Sequence, residues 1–295
     1  MVCDGGFSVV KFITDSVSDI SLEEELSHQI RVLPYPVVIG GQSYLSRVEL
    51  SNQAFFELME QYPDEVPSTS QITPFRFQEV MEEEVAAGNE ELIFVLINSK
   101  ASATYNNACM ARDQFFDDHP QLRDRVKIEV IDSRGYMTIY GVVVVEAAKM
   151  AMNGASFEEL SAYVTAALEK RMIYFSMYSL KYAAKSGRIT AAAAFVGEKL
   201  GLKPIMKIFD HEITTAAKIR GEKRLWEQLV DMACRDMKPG SAYQVMCGSN
   251  LEDRDALQAM MEARLGYGPT GGYQICPAIA ANSGPRAVGL SFDIP

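Results

Sequence analysis

A chain of 295 residues that is 48% hydrophobic and 23% charged has an ordinary globular composition and enough length for two domains with a sizeable core, which excludes a disordered chain. The formal net charge of −11, with no run of Lys or Arg longer than a pair to offset it, repels a phosphate backbone and excludes nucleic acid as an expected partner. The longest nearly apolar stretch, residues 140–148, is interrupted by Glu146 and is far too short to cross a bilayer, so no integral membrane segment is expected.

Residues 8–14 read as a strand, with Asp15 and Ser16 at its carboxyl end. Residues 19–29 look helical, and residues 30–39 are extended, with Pro34 and Pro36 placing them near a sheet edge. Gly40 and Gly41 turn the chain. Ser51 begins a helix that runs to about Tyr62, and Pro63 and Pro67 break the pattern. The hydroxyl-rich loop 67–74 follows, where Thr73 is placed to cap a helix and Pro74 to occupy its first position. Residues 92–98 are a short apolar run bounded by polar residues, a buried strand, and Tyr105, Ala108, Cys109, Arg112 and Phe116 fall at helical spacing. Ser99, Ser102 and Thr104 therefore sit at a strand-to-helix junction, where free N–H groups and the helix dipole favour an anion. The alternative is that Ser102 and Thr104 merely cap the helix. Another strand over 126–131 ends in Asp132 and Ser133, before a long apolar helix over about 136–152.

Asn153 and Gly154 end that helix, and residues 156–170 form a further helix that bridges to a second half of different pattern. A strand over 172–177, a short helix over 179–185 and a turn at 186–190 into a helix through residue 200 are expected there. Residues 203–209 and 213–219 flank Asp210, His211 and Glu212 as a hairpin. Helices over 221–237 and 252–265 enclose a strand over 242–247. The end reads as a strand over 273–281, a polar loop over 282–286 and a strand over 287–292. The fold class is α/β in two domains: a mostly parallel sheet with flanking helices in residues 1–155, and a second α+β domain with a partly antiparallel sheet in residues 156–295.

Ligands of parallel sheets bind beyond the carboxyl ends of the strands. Asp15 and Ser16, the 98–104 loop, and Asp132 and Ser133 all fall at such ends, converging on one rim unless they are three unrelated turns. Other signatures fail on context. Residues 266–271 match G-x-G-x-x-G, but between a helix and a strand, the reverse of what dinucleotide binding needs. There is no Walker loop and no G-x-S-x-G elbow, and nothing in the spacing of three histidines supports a Ser-His-acid triad. Five scattered cysteines without a Cys-x-x-Cys pair fit reduced thiols better than disulfides or zinc. No metal or cofactor is expected. The amino terminus carries no basic region ahead of an apolar core, which leads to the expectation of a cytoplasmic protein without a secretory signal.

Six motifs occur in the order and approximate spacing of the DegV family: Thr14-Asp15-Ser16-Val-Ser18-Asp19, Thr69-Ser70-Gln71-x-Thr-Pro, Ser99-x-x-Ser102-x-Thr104-Tyr105, Val130-Ile-Asp132-Ser133, Ser186-Gly187-Arg188-Ile189 and Ser283-Gly284-Pro285. Together they cover essentially the whole chain, which resembles that family. The resemblance implies a long-chain fatty acid held between the two domains as the bound ligand, in a carrier that is not itself an enzyme. It also implies a partner, a separate bacterial fatty acid kinase that phosphorylates the carboxylate using ATP. By position, Thr69 and Ser102 would hydrogen-bond the carboxylate, with Ser70 and backbone N–H groups near Ala103 assisting, and Asn282 and Ser283 at the corner where the family usually has a His. Arg188 would contact the kinase, and Asp15, Ser16, Asp132 and Arg286 are the candidate rim of the pocket.

Two positions depart from the family. Asn282 stands where the His is usual and cannot become a cation, leaving Arg286 to replace it if that side chain points inward. Ala103 puts a methyl group where the family usually has glycine. Two other readings stay open: an enzyme acting on a small carboxylated or phosphorylated substrate through Asp15, Asp132 and Ser102, and a non-lipid interaction protein with a vestigial pocket.

Overall fold

A computed structural model describes residues 9–189 and 201–295 of the chain. The expected helix leading to residue 200 lies outside the described residues. The chain opens with β1 (Lys11–Asp15) and α1 (Leu22–Ser27), the latter started by a capping box in which Ser21 and Glu24 satisfy each other's backbone N–H groups. Next come β2 (Arg31–Leu33), β3 (Pro36–Ile39), β4 (Gln42–Leu45), α2 (Asn52–Gln61) and β5 (Ser68–Thr69). Then α3 (Pro74–Ala86), β6 (Glu91–Leu96), α4 (Thr104–Asp118), β7 (Lys127–Asp132) and α5 (Thr138–Met152) complete the first half, and α6 (Phe157–Leu168) follows. Ser51, Thr73 and Ser156 cap their helices through their side chains, and Pro74 occupies the first turn, as the local sequence predicts.

Strands β2, β1, β6 and β7 form a sheet in that order with every neighbouring pair parallel, so their carboxyl ends share one edge. One expectation needs correcting. The extended segment 30–39 is not one strand at one edge; it divides into β2, the edge of the parallel sheet, and β3, the centre of a separate sheet ordered β4-β3-β5. Two prolines that cannot donate to a ladder explain the division, and Pro36 is tolerated because it is the first residue of its strand. Gly40 and Gly41, at φ +60° and +72°, make the tight turn from β3 to β4.

The second half supplies β8 (Arg171–Met177), α7 (Lys181–Ser186), β9 (Leu202–Phe209), β10 (Glu212–Arg220), α8 (Glu222–Asp236) and β11 (Tyr243–Cys247). It ends with α9 (Leu251–Leu265), β12 (Gly271–Gln274), α10 (Pro277–Ser283) and β13 (Ala287–Asp293). Its sheet runs β10-β9-β8-β13-β11-β12, antiparallel throughout except for the parallel β11–β12 pair. A second correction falls here. Residues 273–281 are not one strand: β12 stops at Gln274 and α10 begins at Pro277, which suits a first helical turn, with alanines that favour helix behind it. The expected polar loop at 282–286 is thereby split, with Asn282 and Ser283 forming the last turn of α10.

Side chains of β8 alternate between two cores. Ile173, Phe175 and Met177 join the large cluster that includes Phe12, Phe94 and Tyr140 of the first half, whereas Met172 and Tyr174 face the cluster under α8 and α9. The six-stranded sheet thus presents one apolar face toward the parallel-sheet half, and α10 packs on β3, β5 and α2.

Candidate functional site

Where that face meets the edge of the parallel sheet lies a cavity of about 420 Å³, within the size range of small-molecule sites. Its apolar wall comes from both halves, among others Val17, Ile97, Met137, Phe175, Ile208 and Met246. Its polar wall comes from three remote places in the sequence: Thr69 and Ser70 at the end of β5, Ser102 and Ala103 before α4, and Asn282 and Ser283 at the end of α10. In a chain of net charge −11, no Asp or Glu is among the described residues that line it, while Lys100 and Arg188 are. Such a lining favours an anion attached to an apolar body.

The hydroxyls are organised by a tyrosine that the sequence reading passed over. Tyr35 is buried between Pro34 and Pro36, and its hydroxyl lies 2.8 Å from Ser102 Oγ and 2.5 Å from Thr104 Oγ1; the latter two are 2.9 Å apart. Ser102 Oγ also accepts the Thr104 N–H at 3.2 Å, and Thr104 Oγ1 accepts the Ile72 N–H at 3.3 Å. Hydroxyls donate one proton and accept at two sites. Tyr35 can therefore donate to Thr104 and Thr104 to Ser102, which fills the acceptor sites of both and leaves the Ser102 proton to turn from the Tyr35 oxygen to a ligand. Burial holds the Tyr35 hydroxyl well above its ordinary pKa, so it remains a donor. The only signal in the sequence was an aromatic residue pinned by prolines on both sides.

Ser102 and Thr104 do not form a conventional cap: the N-cap of α4 is Ala103, with no side-chain hydrogen bond. The first N–H groups of this fifteen-residue helix have no intrahelical acceptors and lend the junction positive potential. Ala103 has φ −71° and ψ −2°, a conformation open to any L residue, so alanine in place of glycine brings no backbone strain.

At the far corner, Asn282 directs an amide N–H to the Ala278 carbonyl at 2.7 Å, and Ser283 Oγ donates to the Ile279 or Gly284 carbonyl. Both line the cavity, but the Ser283 proton is already used within the helix end. Thr69 and Ser70 make no side-chain hydrogen bond to another described residue, which leaves their hydroxyls available.

The four residues expected on the rim do not line the cavity. Asp15 is fully buried at the end of β1: its carboxylate accepts Tyr140 Oη at 2.6 Å and the N–H groups of Ile97 at 2.8 Å and Val17 at 3.0 Å. Burial pushes its pKa up to about 6 against the pull of those bonds, and its role is to tie β1, β6 and α5 together. Ser16 pairs with Ser46 at 2.8 Å, and both accept the Tyr35 N–H, so Ser16 supports Tyr35 from behind. Asp132 caps the neighbouring loops through the N–H groups of Ser99 and Arg134. Arg286 does not turn inward to replace the missing His: it clamps Asp253, reaches Glu222 and lies over the Tyr178 ring, with its guanidinium carbon 4.0 Å from the centroid. Arg188 is exposed after Gly187, whose φ of +70° ends α7, and it borders the cavity.

Fold and cavity define a three-sheet α/β protein with a chamber of mixed apolar and anion-accepting walls. Residues 9–294 match the model of the DegV family, described as uncharacterised proteins, and this chain belongs to that family. A DegV domain-containing protein of Caldanaerobacter subterraneus is 32% identical over 222 residues, 75% of each chain. Among solved structures, a stearic acid-binding protein from Eubacterium ventriosum is 24% identical with a TM-score of 0.87, covering 96% of this chain and 97% of that one. A Thermus thermophilus DegV family protein described by its fatty acid binding is 23% identical with a TM-score of 0.83, covering 97% and 99%. Among the described residues no helix is long and apolar enough to cross a membrane.

Proposed function

We propose that this chain is a carrier that holds one long-chain fatty acid between lobes formed by residues 1–155 and 156–295. The carboxylate is gripped by Thr69, Ser70 and Ser102 and by N–H groups at Ala103, with Asn282 and Ser283 closing the corner, and the acyl chain runs along Phe175, Ile208 and Met246. The observation that carries this reading is the lining itself: hydroxyls and two cations but no carboxylate among the described residues, on an otherwise apolar chamber in a strongly acidic protein. The fatty acids named for the Eubacterium and Thermus relatives support it. Exposed Arg188 at the border of the chamber is suited to a partner that acts on the carboxylate, in this reading a fatty acid kinase, and the chain itself is not the catalyst.

The enzymatic alternative is disfavoured because its acids, Asp15 and Asp132, hold backbone and tyrosine groups away from the chamber. Mass spectrometry of the extracted protein is expected to find a stoichiometric acyl chain, and Ser102→Ala is expected to weaken stearate binding by roughly tenfold, one hydrogen bond to a charged group, without loss of fold. Protein devoid of lipid that also fails to take up stearate rules the reading out.

A further inference from the structure

We infer that His211, at the tip of the β9–β10 hairpin, is a positioning residue that locks the Ser102 loop from the opposite half of the molecule. This rests on the proposed site and adds to it a clasp that joins acyl wall to carboxylate grip.

Ile208 and Ile213, on the two strands of the hairpin, line the chamber, so the hairpin is one of its walls. The turn between them, Asp210-His211, has φ +42° and +71°. Glycine or asparagine adopts such a turn at less cost, and a histidine held there asks for a compensating interaction. That interaction is with Asn98, which is fully buried. His211 Nδ1 lies 2.8 Å from Asn98 Oδ1, and Asn98 Nδ2 donates to the His211 carbonyl at 2.9 Å. The His211 N–H in turn donates to the Arg134 carbonyl at 2.8 Å.

Asn98 shapes the loop that presents Ser102. Its Oδ1 accepts the Lys100 N–H at 3.0 Å, and its carbonyl accepts the N–H groups of Ala101 at 3.0 Å and Ser102 at 3.2 Å. With Nδ1 protonated, His211 donates to the same oxygen that Lys100 uses, fixing the amide orientation and through it the loop. The neighbouring ion pairs, Lys100–Glu212 at 2.8 Å and Arg134–Asp210 at 3.5 Å, are exposed at both ends and add little. His211 is therefore the anchor of the contact.

The test uses His211→Gly, which suits the left-handed backbone and so does not burden the turn, and His211→Asn, whose side-chain amide nitrogen stands the same number of bonds from the backbone as Nδ1. Amide hydrogen exchange at Ala101 and Ser102 in delipidated protein is expected to quicken roughly tenfold in the Gly variant, the loss of about one hydrogen bond, and to return toward wild type in the Asn variant. Release of stearate to phosphatidylcholine vesicles is expected to follow the same order. Unchanged exchange at Ala101 and Ser102 in His211→Gly overturns the clasp whatever the protein binds. Faster exchange in a protein that never takes up stearate upholds the clasp and instead removes the fatty-acid reading.

Discussion

The Tyr35 hydroxyl stands 2.8 Å from Ser102 Oγ, joining the small sheet of β3 to the loop before α4 across 67 positions of sequence. Tyr35→Phe keeps the ring and its packing but leaves Ser102 and Thr104 with only each other and backbone N–H groups as hydrogen-bond partners among the described residues. The expected cost to folding is about 1 kcal/mol, that of one buried hydrogen bond. Stearate affinity is expected to fall several-fold further than stability, because Thr104 then loses the donor that directs its own proton to Ser102 and frees the Ser102 proton for the ligand. Urea titration alongside stearate titration separates the two effects, and equal affinity in Tyr35→Phe and wild type refutes the role.

Asp19 ties the segment after β1 to the start of α10: its Oδ1 accepts the Cys276 N–H at 3.1 Å, while its Oδ2 has no partner among the described residues. Burial raises its pKa to about 7, only partly opposed by the Cys276 contacts and by Arg47. A carboxyl with a folded pKa above its unfolded value binds more protons when folded, so its contribution is full below about pH 4 and is lost as pH rises through about 7. Asp15, raised to about 6, acts in the same direction. Asp19→Asn keeps the shape and tolerates the φ of +55°, and it removes one titration. The stability of the variant relative to wild type is expected to climb between pH 5 and 8 in urea melts, and a flat difference over that range disproves the assignment.

Strand and helix order in the first half was legible because apolar runs alternate with helical spacing and because Ser51, Thr73-Pro74 and Ser156 announce their helices. The convergence of Thr69, Ser102 and Asn282 followed from resemblance to a family, since no local pattern reports that three remote loops share a cavity. Residues 275–281 misled because a short apolar run has the same appearance in a strand and in a helix, and Pro277 was the cue that decided it. The direction of Arg286 was illegible for another reason: its partner Asp253 is 33 residues away, on α9.

Arg286 is consequently a structural residue. Asp253 is 5% exposed, and Arg286→Ala leaves its carboxylate without the guanidinium and removes one of two cations over the Tyr178 ring, the other being Lys203. A loss of about 2 kcal/mol is expected, below the figure for a fully buried pair because the Arg286 side chain is 38% exposed. Stearate affinity is expected to stay within twofold of wild type, since Arg286 does not line the chamber. A large loss of affinity at unchanged stability, read from the same pair of titrations, contradicts this placement.

Gly141 sets two physical effects against each other. In the interior of α5, alanine in place of glycine gains about 1 kcal/mol of helix propensity. Yet a Cβ built at Gly141 falls 2.1 Å from the Ser18 carbonyl oxygen, a backbone atom that cannot swing aside. The helix and the segment after β1 are held at this approach by the Met137 N–H on the Val17 carbonyl at 3.0 Å and by the Tyr140–Asp15 bond at 2.6 Å. Relieving the overlap moves α5 away and strains both contacts, so the packing penalty outweighs the propensity gain. Gly141→Ala is expected to destabilise the fold by about 2 kcal/mol, measured as a lower urea midpoint at unchanged slope. A variant more stable than wild type means that α5 does not pass this close to Ser18, and with it the placement of Tyr140 against Asp15 is lost.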